Sequence, residues 1–435
     1  MTPDDLAGFF ARRAELDPEA YVELDFTFEC AGDPRHAAAA LCSEQSTTQW
    51  RRVGADEDFR PRFAARVLEL DATPRPSGFS YDIPGAPRGA VHACRATIAH
   101  PHGNFGPRFP TLVSAVLGEG TFFAPGIPII RLEDIRFPAA FLARFEGPRF
   151  GIAGIRERLR AHGRPVFIGV IKPNIGLPPR EFAEIGEQGL LGGLDIAKDD
   201  ELLTDTPWSP LAERAALMGA AARRATEATG APKMYMANVT DEVSRLAAQH
   251  DVAVAGGAGC LLVNALPVGL SGIRLLRAHA TVPLFGHFPF IASFSRVPGY
   301  GVHSRVFTRL QRLAGVDAVI MPGFGNRMMM AEQEVLDCIR ACLEPMGPIR
   351  PCLPVPGGSD WAGTLEGVHR RVGTTDFGFI PGRGVFGHPA GPAAGAASLR
   401  QAWDAIVRGI PLAEQATRHE ELRRAIEHFG RRPTT

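Results

Sequence analysis

Lysine is scarce in this 435-residue chain. Lysine and arginine together number 47, but only Lys172, Lys198 and Lys233 are lysines. Such a bias usually reflects base composition, yet it makes the remaining lysines informative, because arginine does not readily lose its proton and lysine does. Carbamate formation, Schiff-base chemistry and proton transfer all require that loss, so the three lysines are candidates for chemistry.

Other absences exclude whole classes of protein. The formal net charge is zero, which argues against nucleic acid or an acidic membrane surface as the main partner. No run of about 20 apolar residues is present, and the start MTPDDLAGFF lacks the basic and apolar regions of a signal peptide. The seven cysteines form no CxxC pair, which is typical of reduced thiols. We therefore expect a cytoplasmic protein that binds neither nucleic acid nor membranes.

The N-terminal third mixes helix and strand patterns. Residues 21–29 alternate apolar and polar side chains, the period of a half-buried strand, and residues 66–70 and 90–98 indicate further strands. Residues 36–43 indicate a helix. These patterns predict an α+β (ferredoxin-like) domain over residues 1–145.

The rest of the chain is more regular and predicts a (β/α)8 TIM barrel over residues 146–435. Short apolar runs alternate with helical segments, which makes the fold class α/β. A doubly wound open sheet is the alternative. We favour the barrel because there are eight runs, and because polar residues cluster at their C-terminal ends, where barrel active sites lie. The runs are 166–174, 193–200, 233–238, 260–265, 283–288, 318–323, 351–358 and 377–384.

The segment GGLDIAKDDE (192–201) carries the strongest chemical signal. Side chains alternate along a strand, so Lys198 and Asp200 are expected on one side, with Glu201 free to turn inward. A neutral lysine amine that adds CO₂ becomes a carbamate with two oxygens. Together with two carboxylates it would suit Mg²⁺, which prefers oxygen ligands. An isolated KDDE is more often a surface ion-pair cluster, so this site needs support from elsewhere in the chain.

Further polar residues follow the other predicted strands. Lys172 and Asn174, in GVIKPNIGLP (169–178), are candidates for proton transfer or imine formation. His287 follows strand five, where it would orient substrate or relay a proton. Asn238 and Asn264 end strands three and four and are expected to contact a polar substrate. Glycine loops follow strands seven and eight and predict a phosphate cradle before a helix; its candidate residues are Gly357, Gly358, Gly382, Arg383 and Gly384.

Several segments resemble ribulose-bisphosphate carboxylase. GGLDIAKDDE resembles the metal-site signature of that family, and the segments IKPN (171–174), EQSTTQW (44–50), RLEDIRFP (131–138) and GHP (387–389) match further motifs in family order. The resemblance implies Mg²⁺ bound by carbamylated Lys198, Asp200 and Glu201. It also implies a homodimer, or a multiple of it, in which the N-terminal domain of one subunit completes the other subunit's site. The positions expected to reach across are Glu44, Gln49, Trp50 and Glu119.

Departures from the family pattern argue against a working carboxylase. Asn174 replaces the second lysine of strand one, Phe288 replaces an arginine, and Met321 and Pro356 replace a histidine and a serine. We expect Phe288, Met321 and Pro356 to form an apolar wall at one end of the site, where carboxylases bind one of their two phosphates. The loop PGFGNRMMM (322–330) has no lysine, although carboxylases use one to hold the new carboxylate. The pattern is similar to the carboxylase-like proteins, which keep Mg²⁺-assisted enolisation but act on other substrates.

We therefore expect an Mg²⁺-dependent lyase, isomerase or hydrolase that forms an enolate on a monophosphorylated keto sugar or keto acid in carbohydrate catabolism. Lys172, Asn174, Lys198 and His287 are the candidate catalytic residues. One alternative is an enolase or isomerase of methionine salvage, acting on 2,3-diketo-5-methylthiopentyl-1-phosphate or methylthioribulose phosphate. Others are a Schiff-base aldolase using Lys172 and a catalytically retired dimeric scaffold.

Overall fold

The computed structural model describes residues 6–48, 58–124 and 126–430. The chain divides into two compact units. The first comprises Met1–Glu146, Ile291–Leu310 and Met346–Ile349, and the second comprises Gly147–Phe290, Gln311–Pro345 and Arg350–Thr435.

Thirteen strands form two sheets within the described part of the chain. They are β1 (Tyr21–Ala31), β2 (Arg66–Pro74), β3 (Val91–Pro101), β4 (Ile129–Arg136), β5 (Val166–Val170), β6 (Ile196–Lys198), β7 (Met234–Asn238), β8 (Cys260–Asn264), β9 (Leu284–His287), β10 (Gly301–Val302), β11 (Ala318–Pro322), β12 (Leu353–Gly357) and β13 (Gly378–Phe379).

The α-helices, again numbered over the described residues, connect and cover these strands. They are α1 (Pro34–Glu44), α2 (Arg60–Phe63), α3 (Phe109–Leu117), α4 (Gly120–Phe123), α5 (Ala139–Leu142), α6 (Gly151–Leu159), α7 (Pro179–Gly192), α8 (Leu211–Thr229), α9 (Leu246–Ala255), α10 (Ala265–Val268), α11 (Leu270–His279), α12 (Ile291–Ser295), α13 (Ser304–Ala314), α14 (Glu332–Leu343), α15 (Leu365–Val372), α16 (Arg383–Phe386), α17 (Gly391–Arg408), α18 (Leu412–Arg418) and α19 (Glu420–Phe429). No helix of the described residues is long and apolar enough to cross a membrane.

The first unit is built on a five-stranded mixed sheet with the order β10-β4-β1-β3-β2. β1 pairs antiparallel with β3 and β4, while β10 pairs parallel with β4. Along β1 every second side chain is buried, beginning with Val22 and Leu24, as the alternating sequence predicts. Helix α1 packs against the sheet and buries its residues from Ala37 to Ser43.

The second unit is an eight-stranded parallel barrel. Its hydrogen-bonded order is β12-β11-β9-β8-β7-β6-β5-β13, and the terminal strands β12 and β13 are in contact, which closes the sheet. Apolar side chains fill the interior, among them Ile168, Met236, Leu262 and Phe285. All eight strands lie within the predicted apolar runs, so the α/β prediction of an α+β unit and a TIM barrel is confirmed.

Strands β5 and β6 are shorter than predicted and do not reach three of the predicted site residues. β5 ends at Val170 and β6 at Lys198. Lys172, Asn174 and Asp200 therefore lie in the loops that follow, where strand alternation no longer fixes the direction of a side chain. The loops at the C-terminal end of the barrel position these groups.

Candidate active site

Lys198 is the last residue of β6, and its side chain is fully buried. Its Nζ donates to the carbonyl oxygen of Asp199 at 2.7 Å and lies 3.8 Å from Oε2 of Glu201. Burial lowers the pKa of Lys198 below its usual range, although the carboxylates of Glu201 and Asp200 act in the opposite direction.

Lys172 lies beside the same acidic pair. Its Nζ donates to Oδ2 of Asp200 at 2.8 Å and to Oδ1 of Asn174 at 2.6 Å. Asp200 is buried, while Lys172 and Glu201 each keep about a third of their side-chain surface exposed. The structure thus brings two of the three lysines to one cluster of carboxylates, and the exposed fraction of Lys172 lets a ligand reach it.

The third lysine lies elsewhere. Lys233 donates from Nζ to the carbonyl oxygen of Leu194 at 2.7 Å. Burial lowers the pKa of Lys233 to about 8, partly offset by the charge of Asp195. Lys233 precedes β7 at the N-terminal end of the strand, so it is part of the scaffold and not of the site.

Asn238 and Asn264 hold the acidic loop in place. Asn238 donates from Nδ2 to the carbonyl oxygens of Asp200 and Glu201, both at 3.1 Å. Asn264 donates to the carbonyl oxygen of Glu201 at 3.0 Å. Their N–H groups bind backbone and so position Glu201, while contact of these amides with substrate stays a prediction.

His287 ends β9 and faces the same carboxylate. Its Nε2 lies 3.6 Å from Oε2 of Glu201, and its ring stacks on Phe288 with centroids 4.7 Å apart. Burial, reinforced by the charges of Lys198 and Lys172, lowers the pKa of His287 well below its usual range. Nδ1 is buried and has no hydrogen-bond partner among the described residues. A neutral imidazole with one free ring nitrogen can exchange a hydrogen bond or a proton with a ligand.

These groups open into a cavity of about 680 Å³ within the second unit. Both glycine loops form part of its wall. The glycines are needed there because a Cβ on Gly382 would lie 3.0 Å from Cε of Lys172, and one on Gly358 would lie 2.7 Å from the carbonyl oxygen of Phe324. The sequence-predicted residues that line this cavity are Lys172, Asn174, Glu201, His287, Gly357, Gly358, Gly382, Arg383 and Gly384.

The apolar part of the wall differs from the expected one. Phe288 lines the cavity as predicted, but Met321 and Pro356 are not among the lining residues. Ile320 takes their place because alternation along β11 turns Ile320 into the barrel interior, where it joins the core cluster.

Sequence reasoning missed several lining residues, and four of them have polar or aromatic side chains of particular interest. Arg327 supplies a cation from the loop that lacks lysine, Asp360 and Trp361 come from the loop after β12, and His428 comes from α19. Among these four residues, only Arg327 could have been identified from the sequence, because it lies in the loop after the sixth barrel strand.

The positions expected to reach a partner subunit belong to the first unit. Glu44 ends α1 and is half-buried, and Glu119 is exposed just before α4. Gln49 and Trp50 lie outside the described residues.

The donor set fits Mg²⁺. Asp200 and Glu201 supply carboxylate oxygens, and Lys198 lies within 4 Å of Glu201 at a fully buried position. The amine itself is a poor ligand for Mg²⁺, so Lys198 fits the site as a carbamate, which adds two oxygens and a negative charge.

The comparisons with known proteins agree with this architecture. Residues 151–429 match the family model of the ribulose bisphosphate carboxylase large chain, catalytic domain. The chain belongs to this family. It is 72% identical over 432 residues to the ribulose bisphosphate carboxylase-like protein 2 of Rhodopseudomonas palustris. The alignment covers 99% of this chain and 100% of the relative.

More distant members also match over most of their length. The 3-oxo-isoapionate-4-phosphate decarboxylase of Rhizobium etli is 32% identical over 94% of this chain and 99% of its own. The crystal structure of a RuBisCO-like protein from Burkholderia fungorum matches with a TM-score of 0.86 and 32% identity, over 94% of this chain and 100% of that one. The dimeric archaeal RuBisCO of Hyperthermus butylicus matches with a TM-score of 0.85 and 29% identity, over 98% and 99%. Relatives of this chain thus include proteins named for functions other than carboxylation.

Proposed function

We propose that the chain is an Mg²⁺-dependent enzyme that forms an enolate on a monophosphorylated keto sugar or keto acid, and that it is not a working carboxylase. The observation that carries the proposal is that Lys172, Lys198, Asp200, Glu201 and His287 form one cluster. Three of them, Lys172, Glu201 and His287, line a single cavity.

Each of these residues has a distinct role in the proposal. Mg²⁺, held by Asp200, Glu201 and carbamylated Lys198, would polarise the substrate carbonyl and stabilise developing negative charge on its oxygens. Lys172 points its ammonium at the same place, so it stabilises the enolate or returns a proton to it. His287 lines the cavity and would orient the substrate or relay a proton.

The two ends of the cavity differ in the groups they accept. At one end Phe288 and Ile320 present an apolar surface, which suits a methyl, methylthio or hydroxymethyl group. At the other end the glycine loops and Arg383 offer close backbone approach and a guanidinium, which suit a phosphate dianion. A buried dianion at the apolar end would lack donors, at a cost of several kcal/mol.

The name of one relative supports the proposal that the substrate carries a single phosphate. The Rhizobium etli relative is named for a decarboxylase acting on an oxo compound with a single phosphate. Loss of CO₂ and loss of a proton both generate an enolate, so one set of residues serves either route.

The test is a screen of purified protein with Mg²⁺ and bicarbonate against phosphorylated keto acids, keto sugars and the two methionine-salvage substrates. Isothermal titration with matched mono- and bisphosphate analogues accompanies it. We expect turnover that EDTA abolishes, and tighter binding of the monophosphate. A Lys172→Met variant should lose turnover, whereas Lys233→Met, as matched control, should keep it.

Three outcomes would contradict the proposal. One is bisphosphate binding at least as tight as that of the monophosphate, and another is incorporation of labelled CO₂ into ribulose bisphosphate. The third is EDTA-resistant turnover together with borohydride trapping of substrate on Lys172, which would establish a Schiff-base aldolase instead.

A further inference from the structure

Asp360 is a buried carboxyl group in the wall of the cavity, and neither the sequence motifs nor the proposed function gives it a role. It lies in the loop after β12. Its Oδ2 accepts a hydrogen bond from the backbone N–H of Gly358 at 3.0 Å. Gly358 belongs to the proposed phosphate cradle. Asp360 therefore accepts a hydrogen bond from one of the backbone N–H groups that an incoming anion would use.

Asp360 also contacts the second glycine loop. A Cβ on Gly384 would lie 2.3 Å from the carbonyl oxygen of Asp360, so the two loops meet at this residue. The neighbouring Ser359 has a buried Oγ with no hydrogen-bond partner among the described residues. Ser359 and Asp360 both line the cavity next to Gly358 of the proposed cradle.

No described residue forms an ion pair with Asp360. Arg383, Arg327, Lys172 and His428 line the same cavity, but the groups that act on its carboxyl are the Gly358 N–H and the Thr364 hydroxyl. Burial outweighs both and raises the pKa of Asp360 to about 7. Near neutral pH the group is thus able to take up a proton when its surroundings become more negative.

We propose that Asp360 is a specificity residue of the phosphate-binding end, which meets the anionic group of the substrate as a neutral acid and donates a hydrogen bond to it. An ionised carboxylate beside a dianion would repel it, whereas the acid form offers an O–H donor. The inference rests on the proposed function, because it assumes that the glycine loops bind an anion.

Proton linkage gives the direction of the pH effect. Below pH 7 the acid form is already present, so the anion binds without a further cost. Above pH 7 each bound anion brings one proton to Asp360, and affinity falls by about tenfold per pH unit.

The probe for this linkage is inorganic sulfate, which stays a dianion between pH 6 and 9 and so contributes no titration of its own. Isothermal titration of the full-length protein, in buffers of different ionisation enthalpy, measures affinity and proton uptake together. We expect uptake to approach one proton per sulfate above pH 8, and affinity to fall as the pH rises.

Two variants assign the proton. Asp360→Asn keeps the shape and a donor but cannot ionise, so its sulfate affinity should be nearly constant with pH. It should exceed the wild-type affinity at pH 8.5. Asp317→Asn is the matched control, because Asp317 is another buried carboxyl with a raised pKa, but it binds the backbone N–H groups of Phe150, Gly151 and Leu284. It should keep the wild-type pH slope.

The remaining outcomes overturn the inference in distinguishable ways. Sulfate binding without proton uptake would refute the role of Asp360 and leave the phosphate cradle standing. A pH slope that persists in Asp360→Asn would assign the proton to another group and refute the role of Asp360. Failure of sulfate and inorganic phosphate to bind to either protein would refute the cradle itself, and with it this part of the proposed function.

Discussion

At the scale of single residues, two lysines in one barrel have different surroundings. Lys198 is fully buried beside Glu201, whereas the half-buried Lys233 donates to a backbone carbonyl at the N-terminal end of the strands. Both amines have a lowered pKa because of burial. Only Lys198 has carboxylates near enough to share a cation with it, so burial alone does not make a lysine functional.

We predict that Lys198 carries CO₂ in the active state. Bicarbonate should raise the Mg²⁺ affinity of the wild-type protein, because the carbamate completes the oxygen ligands. Lys198→Arg should lower that affinity by on the order of tenfold or more and abolish the effect of bicarbonate, since the guanidinium forms no carbamate. Calorimetric Mg²⁺ titrations with and without bicarbonate measure both changes.

Lys233→Arg is the matched control and should behave as wild type. Nuclear magnetic resonance with ¹³C-labelled CO₂ provides a second measurement, in which the carbamate signal should survive Lys233→Arg and vanish in Lys198→Arg. A Lys198→Arg protein with unchanged Mg²⁺ affinity would refute the prediction.

The sequence predicted the lysines of the site but not the cavity residues from the loop after β12 and from α19. Lys172 and Lys198 stood out because lysine is rare and both lie near the C-terminal ends of predicted strands. Asp360 and His428 had no such signal. His428 reaches the cavity through α19, whose neighbouring Phe429 lies against Trp361 with ring centroids 5.8 Å apart. Contacts between segments so distant in sequence follow from the packing of the C-terminal helices and leave no local pattern.

At the scale of elements, one buried network joins β6, β7 and α8 behind the site. The carboxylate of Asp199 accepts hydrogen bonds from Tyr235 Oη at 2.7 and 2.8 Å, from Arg214 Nε at 3.3 Å and from the backbone N–H of Asn238 at 2.9 Å. Both Arg214 and Asp199 are fully buried. Since Asp199 lies between Lys198 and Asp200, the network fixes the segment that carries the proposed metal ligands.

We predict that Tyr235→Phe destabilises the barrel by about 1–3 kcal/mol, because it leaves a buried carboxylate short of one donor. The midpoint of urea unfolding, followed by circular dichroism, should fall accordingly. Tyr300→Phe is the control, since Tyr300 is exposed and its hydroxyl has no hydrogen-bond partner among the described residues. Equal midpoints for the two variants would show that the network contributes nothing to stability.

We also predict that the glycine loops tolerate no side chain at Gly384. A Cβ there would meet the backbone oxygen of Asp360 at 2.3 Å, so Gly384→Ala should cost about 1–3 kcal/mol and weaken anion binding. Gly103→Ala is the control, because a Cβ at Gly103 meets nothing within 4 Å. Thermal unfolding and sulfate titration check both effects. A Gly384→Ala protein matching Gly103→Ala in both would contradict the steric argument.

Element prediction succeeded where burial follows a simple period and failed where it does not. The eight barrel strands are short apolar runs ending in polar residues, which the sequence displays directly. β4 was missed as a strand because it is nearly all buried although it contains charged residues such as Arg131 and Asp134, so it shows neither an apolar run nor alternation. Asp134 is paired with Arg309, a partner 175 residues away that no local pattern announces.

At the scale of the whole molecule, we predict a dimer or a multiple of dimers. The motif that begins at Glu44 belongs to the first unit, whereas the cavity is lined entirely by the second. A relative of the same fold is described as dimeric. Sedimentation velocity should show no stable monomer at micromolar concentration. A monomer with full activity would refute the shared-site hypothesis.

The burial of the lysines has a practical consequence for covalent labelling. Of the three ε-amino groups, that of Lys198 is fully buried, whereas Lys233 is half-buried and Lys172 keeps part of its surface open to the cavity. Reagents that acylate amines therefore meet almost no ordinary surface targets on this arginine-rich protein. Apart from the α-amino group, such reagents can reach Lys172 and Lys233, and a ligand in the cavity would protect Lys172 but not Lys233. The difference in labelling between these two lysines therefore reports on occupancy of the cavity.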